Sequence, residues 1–243
     1  MKSFNRAAGS YGKQAEVQKN AARKLIEALE KTWVKAPNCK LLELGCGTGR
    51  DCGQLQTLLL PERYDAVDAA PLMLEKARQH HQHCREIQFH CLNFNSELDR
   101  LAYYYDVIFA NMALQWTQHF EKLMIQLYHK LAQGGKLYFT LPLSGTFKEI
   151  SADFRVNTFY THQEVIQCVN QVGFQQIIAE QYAEVLAFPL RKMQLAHIKA
   201  SGADCYQGQA EIAFAKVRRY LQSKLPGRLT YQIGVYALCR HRT

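Results

Sequence analysis

A doubly wound α/β fold with a mostly parallel sheet is the class this sequence predicts, on three observations. Strand-like apolar runs alternate with segments of helical periodicity over much of the chain. A glycine cluster, "ELGCGTG" at residues 43–49, directly follows the first of those runs, where open α/β sheets carry a ligand-binding turn. The last two strand-like runs, "QIIAEQYAEVLAF" and "LTYQIGVYALCR", read as an antiparallel pair closing the sheet edge.

The elements follow in order. Val17, Ala21, Leu25 and Leu29 recur every four positions and make one stripe of an amphipathic helix from Glu16 to Leu29. Strands are then predicted at "KLLEL", "YDAV", "IQFHCL", "DVIFA" and "KLYFTL". Between the last two, a helix over 119–131 gathers Phe120, Leu123, Met124, Leu127 and Leu131 on one face. "THQEVIQCVNQVGF" opens with Thr161 and Glu164 in capping-box spacing and stops at Gly173, which marks a further helix. Residues 189–228 read as a largely helical, basic insertion over the C-terminal edge of the sheet.

A chain of 243 residues suits a single well-buried domain, and 21% charged residues exclude a disordered or fibrous class. No run approaches the roughly 18 apolar residues of a membrane helix, and the first residues carry no apolar signal core, so a soluble cytoplasmic protein is expected. The eight cysteines are scattered without a Cys-x-x-Cys pair, which favours reduced thiols over bridges. A net charge of +9 favours an acidic partner, whether nucleic acid, an anionic membrane or an acidic protein, and charge alone does not choose among them. Arg191, Lys192, Lys199, Lys216, Arg218, Arg219, Lys224 and Arg228 concentrate the excess near the end, as a docking face or a solvated surface.

The glycine cluster excludes two familiar phosphate sites. A Walker loop needs Lys-Ser/Thr after its last glycine, where this chain has Arg50-Asp51, and the spacing G-x-G-x-G departs from the dinucleotide pattern. Glu43, two residues before the first glycine, is unfavourable beside a pyrophosphate and favourable beside a cation. Asp68 closes the second strand, in the position where a carboxylate accepts from both ribose hydroxyls. Together they describe a site for a ribonucleoside with a positive centre nearby.

Here the sequence resembles the class I methyltransferases that use S-adenosylmethionine: "LLELGCGTG" is similar to their first motif and "VDAAPLML" to their second. The resemblance implies a Rossmann-like, seven-stranded, mostly parallel sheet with one antiparallel strand at the edge and helices on both faces. It also implies one domain over 1–243, made of an N-terminal helical lid (1–35), a cofactor-binding half (36–142) and an acceptor-side half (143–243) holding the insertion before the last strand. By that resemblance Gly45, Cys46 and Gly47 line the methionine part of the cofactor and Asp68 holds the ribose. Met73 or Leu72 covers the adenine, and Asn93 stands where the family places an acidic acceptor for the adenine amine. Asn111 and Leu114 flank the sulfonium, Gln115 and Trp116 face the acceptor, and Glu43, Gly49, Ala69 and Phe94 complete the cofactor set.

A closer resemblance, to the malonyl-acyl-carrier-protein O-methyltransferases of biotin synthesis, rests on "FNRAAGSYGKQAEVQ", "NMALQW", "FTLPLSGTFKEI", "HIKASGA" and "LTYQIGVYAL" in that family's order. It implies methyl transfer to the free carboxylate of a malonyl thioester on an acidic acyl carrier protein, giving the methyl ester that primes pimelate formation. The segment from Glu149 to Phe159 is several residues shorter than that family's, which bears on the acceptor site. A malonyl carboxyl with a pKa of roughly 4 is ionised at neutral pH, so no general base, nucleophile or metal is required. The site must instead supply a cation or donors for the carboxylate, and Arg6, Tyr11, Gln115, Arg155 and Lys199 are the candidates. A class I methyltransferase for another small or carboxylic acceptor, and a non-catalytic cofactor-binding partner subunit, remain open alternatives. Nucleic acid is disfavoured because "NMALQW" lacks the Asn/Asp-Pro-Pro-aromatic signature of base methyltransferases, and "HHQHC" (80–84) reads as a helix end rather than a metal site.

Overall fold

The computed structural model describes residues 16–151, 153–154, 156–200, 218 and 220–241. The chain runs α1 (Glu16–Thr32), β1 (Lys40–Leu44), α2 (Cys52–Leu59), β2 (Arg63–Asp68), α3 (Pro71–His80), β3 (Ile87–Cys91) and β4 (Tyr105–Asn111). It continues through α4 (Phe120–Lys130), β5 (Leu131–Pro142), α5 (His162–Val172), β6 (Phe174–Phe188), α6 (Arg191–Ala200) and β7 (Gly227–Arg240). One sheet holds all seven strands in the order β3-β2-β1-β4-β5-β7-β6. The order reverses between β1 and β4, both parallel neighbours, which opens a crevice at their carboxyl ends.

The antiparallel pair expected at the sheet margin is β6 with β7, and β7 is its inner member, running opposite to β5 as well. Patterning explains the placement. β7 is apolar on both faces, with Leu229, Ile233, Val235, Tyr236, Ala237 and Leu238 all buried, so it needs cover on each side. β6 alternates and carries Glu180, Gln181 and Glu184, which suits an edge strand.

Helices cover both faces. Leu42, Leu44, Ile108 and Phe139 pack with Phe120, Met124 and Leu127 of α4 and with Val165 and Val169 of α5. On the other face Leu41, Tyr64, Ala66, Val107 and Phe109 pack with Leu25 and Leu29 of α1, Leu55 of α2 and Leu74 of α3. The single-residue alternation between Leu41 and Leu42 assigns each strand residue to one of these layers. The capping box of α5 forms as spaced: Thr161 Oγ1 accepts from the Glu164 N–H at 3.2 Å, and Glu164 Oε2 accepts from the Thr161 N–H at 2.7 Å.

A third apolar cluster lies beyond the carboxyl ends of the parallel strands. Val17 and Ala21 at the start of α1 meet Phe147 and Ile150, Ile198 of α6, Tyr220, and Leu229, Tyr231 and Ile233 of β7. The segment 143–154 is tied to β7 through Thr146, which bonds the Gln232 backbone, and through Glu149, whose carboxylate accepts from the Thr230 N–H at 3.0 Å. No helix among the described residues is long and apolar enough to cross a membrane.

Candidate active site

The glycine turn leaves β1 at Leu44 and is stitched to β2 at once: the Gly45 and Cys46 N–H groups both donate to the Val67 carbonyl, at 2.8 and 3.0 Å. Gly45 has φ +71°, and a Cβ there would lie 2.5 Å from the Ala113 Cβ, so side-chain loss is what lets the β1 and β4 loops touch. Gly47, at φ +56°, has nothing within 4 Å of where its Cβ would stand, so its bare backbone faces open space. Two histidines at the end of α3 clamp the turn from behind: the His80 ring bonds the Thr48 carbonyl at 3.0 Å and the His81 ring the Gly49 carbonyl at 2.6 Å. They therefore do more than the solvated helix end expected of them, and no group of metal-ligating residues occurs among the described residues.

Asp68 ends β2 facing this turn. Its Oδ2 accepts from the Gly47 N–H at 2.9 Å and its Oδ1 from the Ala70 N–H at 2.8 Å. Each oxygen keeps a further lone pair for a ligand hydroxyl. Burial raises the Asp68 pKa from its ordinary value, and the backbone donors of Ala70 and Gly47 oppose that rise.

Glu43 lies beneath the turn rather than in the cavity wall, 3% exposed. Its Oε2 accepts from the Cys52 thiol at 3.1 Å and from the Tyr64 hydroxyl. Burial first, then the nearby Asp51 charge, push its pKa up to about 7. Burial also raises the pKa of the Cys46 thiol, which keeps it protonated and inert.

A cavity of about 680 Å³ opens at the crevice, walled by Gly45, Gly47, Asp68, Ala69, Met73, Asn93, Phe94, Asn111 and Trp116. Of the two apolar candidates on α3, Met73 is buried in this wall and Leu72 is turned outward, 48% exposed. Cys46 and Gly49 belong to the turn but do not line the cavity. Leu114 does not line this cavity: the single 3-10 turn over Leu114–Trp116 buries it in the core with Phe120 and Leu141, at the wall of a smaller adjoining cavity, while Met112 and Ala113 line the larger one. Met112 adopts φ +49°, a left-handed conformation costly for a non-glycine residue, at the point where the chain leaves β4.

Asn111 holds three elements at one amide. Its Nδ2 donates to the Gln18 carbonyl of α1 at 3.0 Å and to Asp51 at 3.3 Å, and its Oδ1 accepts from the Thr140 hydroxyl of β5 at 2.7 Å. The Thr140 oxygen in turn accepts from the Met112 N–H at 3.0 Å, which supports the left-handed residue.

A second, smaller cavity of about 300 Å³ adjoins the first through shared Thr117 and Gln118, and is lined by Gln115 with Leu141, Phe159 and Tyr160 among others. Lys199 sits on α6, exposed, in the wall of neither cavity. Arg6, Tyr11 and Arg155 lie outside the described residues, as do the segment 1–15 of the expected lid and residues 201–217 of the expected insertion. The wall also contains residues that motif matching passes over: Asn95, Ser96, His119, Lys122 and Gln126. Lys122 and Gln126, one helical turn apart on α4, carry the only readable signal, a polar pair on the side opposite Leu127.

A mostly parallel sheet whose order reverses between β1 and β4, with a bare-backbone turn after β1 and a backbone-held aspartate ending β2, is the class I methyltransferase fold. Residues 42–137 match the family model described as a methyltransferase domain. A putative methyltransferase from Bacillus halodurans superposes with a TM-score of 0.66, covering 91% of this chain and 99% of its own at 8% identity, a likeness of fold. In sequence the chain resembles the malonyl-[acyl-carrier protein] O-methyltransferases. That of Bacillus cytotoxicus is 39% identical over 153 residues, 63% of this chain and 53% of the relative. The second such protein of Coxiella burnetii is 27% identical over 204 residues, 84% of this chain and 80% of the relative. The chain thus spans just over half the length of the Bacillus relatives it matches.

Proposed function

We propose that this chain binds S-adenosylmethionine in the 680 Å³ cavity and methylates the free carboxylate of a malonyl group carried on an acyl carrier protein. The observation that carries the cofactor reading is the Asp68 carboxylate, held on both oxygens by the Gly47 and Ala70 N–H groups at the cavity wall. That arrangement offers two spare acceptor sites to vicinal hydroxyls, and the open space at Gly47 gives a ligand room against backbone. Met73 and Phe94 supply apolar faces for a base, and buried Glu43, whose pKa is raised to about 7, would ionise behind the turn when a cationic tail binds across it. When bound, the cofactor would provide an electrophilic methyl group on a sulfonium.

The residues of the chain then bind, orient and exclude water. An ionised malonyl carboxylate is already a nucleophile, so no side chain needs to take its proton. Catalysis reduces to holding a carboxylate oxygen at roughly 3–3.5 Å from the methyl carbon and removing water from two opposite charges. Trp116 in the larger cavity and Gln115 in the smaller one mark the passage between the two, through Thr117 and Gln118, as the acceptor's route. Lys199, Arg6, Tyr11 and Arg155 stand as proposed carboxylate or carrier contacts. Exposed Lys192, Lys199, Arg218, Lys224 and Arg228 suit an acidic carrier, whose charge they would steer to the cavity mouth. The relatives' names support the acceptor, and a place in biotin synthesis and in the cytoplasm is part of the proposal.

The test is intact mass spectrometry of malonylated carrier protein after incubation with this protein and S-adenosylmethionine, with acetylated carrier as control. One methyl added to the malonyl form alone supports the reading. Transfer to neither form, with cofactor binding intact, overturns the acceptor assignment.

A further inference from the structure

The helix that carries Met73 is fastened to the glycine turn at its far end as well as at its start. At the start, the Ala70 N–H donates to Asp68, whose other oxygen accepts from the Gly47 N–H. At the end, the His80 ring bonds the Thr48 carbonyl at 3.0 Å and the His81 ring bonds the Gly49 carbonyl at 2.6 Å. A carbonyl only accepts, so the bonded ring nitrogens, Nδ1 of His80 and Nε2 of His81, are the ones that carry protons. The His81 ring is closely seated: a Cβ on Gly49 would lie 2.9 Å from its Cδ2, a Cβ on Gly53 would lie 3.5 Å from its Cε1, and the Phe89 ring of β3 stands 6.2 Å away between centroids.

Peptide planarity carries these bonds into the turn. The Thr48 carbonyl and the Gly49 N–H share one rigid plane, and that N–H donates to the Cys46 carbonyl at 2.9 Å, which closes the turn over Gly47 and Thr48. The Gly49 carbonyl has two lone pairs: the Cys52 N–H at the start of α2 takes one at 3.3 Å and His81 takes the other. His80 is exposed and His81 half-buried, so the His81 bond meets less competition from water. We infer that His81 is a positioning residue for the cofactor: its Nε2–H sets the Gly49 peptide, keeps Gly47 at φ +56° with bare backbone toward the cavity, and locks the turn to the helix bearing Met73. The inference deepens the cofactor reading above and rests on it. On that reading the amino-acid tail of the ligand lies along residues 45–47, so the tail is the part that depends most on His81.

The experiment is calorimetric binding of S-adenosylhomocysteine and of methylthioadenosine, which keeps the nucleoside and lacks the amino-acid tail, to the full chain with His81→Leu or His81→Gln. The first variant keeps apolar bulk and loses the donor. The second carries an amide nitrogen as many bonds from Cβ as the histidine Nε2, and so keeps the donor. H81L is expected to weaken S-adenosylhomocysteine by about tenfold and methylthioadenosine by no more than about twofold, and H81Q to restore most of the lost affinity. Because the readout is a ratio between two ligands on one variant, a general loosening of the fold does not imitate it. In wild type, proton–nitrogen correlation spectra of the histidine rings should show His81 protonated at Nε2, a measurement that needs no variant to fold. Unchanged affinities or equal losses for the two ligands in H81L, an H81Q protein as weak as H81L, or a bare Nε2 in wild type would each overturn the inference alone. A wild-type protein that binds neither ligand overturns the cofactor reading and this inference with it.

Discussion

The two halves of the sheet are covered with different materials. On the β1–β2 side the cavity is walled by backbone: Gly45 and Cys46 share the Val67 carbonyl, Gly47 and Ala70 share the Asp68 carboxylate, and one missing Cβ lets the β1 and β4 loops touch. On the β6–β7 side the surfaces are made of side chains carried by α6 and by the segment 143–154, which hangs on β7 through Thr146 and Glu149. Backbone walls admit few residue types, and side-chain walls admit many. The first half is therefore constrained residue by residue, and the second mainly in volume and charge.

Breaking the backbone wall should give the largest effects. Gly45→Val places a branched side chain where the Cβ alone would lie 2.5 Å from Ala113, at φ +71°. We expect a loss of about 3 kcal/mol, combining overpacking with a left-handed residue, and no detectable binding of S-adenosylhomocysteine. Chemical denaturation and calorimetry check both, and near-native stability in the variant would show that the two loops separate freely.

Glu43 offers a sharper probe, because its effect has a sign. Its folded pKa is raised to about 7 against an ordinary value of 4.5, chiefly by burial. The folded state therefore holds a proton that the unfolded chain has released, and the associated stability is fully present below the unfolded pKa and lost as pH rises toward the folded one. Between pH 5 and 7 this group should remove on the order of 2–3 kcal/mol from the ligand-free protein. Glu43→Gln keeps an oxygen for Tyr64 and Cys52 and should flatten that part of the profile in urea titrations at stepped pH. A cation bound behind the turn should flatten it as well.

The side-chain half should respond least. Lys199→Glu reverses an exposed charge on α6 outside both cavities, so binding of the cofactor should be unchanged. The KM for malonylated carrier should rise by roughly two- to fivefold, the equivalent of about 0.5–1 kcal/mol for an exposed charge, and more at low salt. Steady-state kinetics at two ionic strengths would detect it, and a salt-independent KM would place the carrier on another face.

The same contrast explains what could be read from the sequence. The glycine turn after β1, the α5 capping box and the aspartate closing β2 follow from local rules with few solutions: a positive φ, a fixed spacing, a carboxylate at a strand end. Which of the two cavities Leu114 faces is not legible from a motif, because a 3-10 turn advances each residue by about 120°, not the 100° of an α-helix. Met73 and Leu72 stay equivalent until the starting angle of α3 at Pro71 is known. β7 lay within reach of the sequence, since its unbroken apolar run asks for a neighbour on each side.

The measurement that bears most directly on the central claim is calorimetric titration of S-adenosylhomocysteine into wild type and into Asp68→Ala. If the aspartate held by Gly47 and Ala70 is the ribose acceptor, wild type binds and the variant loses about 1.5–3 kcal/mol of affinity, the scale of hydrogen bonds to a charged group. Equal affinity in the two proteins, or no binding to wild type, would contradict the assignment of this crevice to the cofactor.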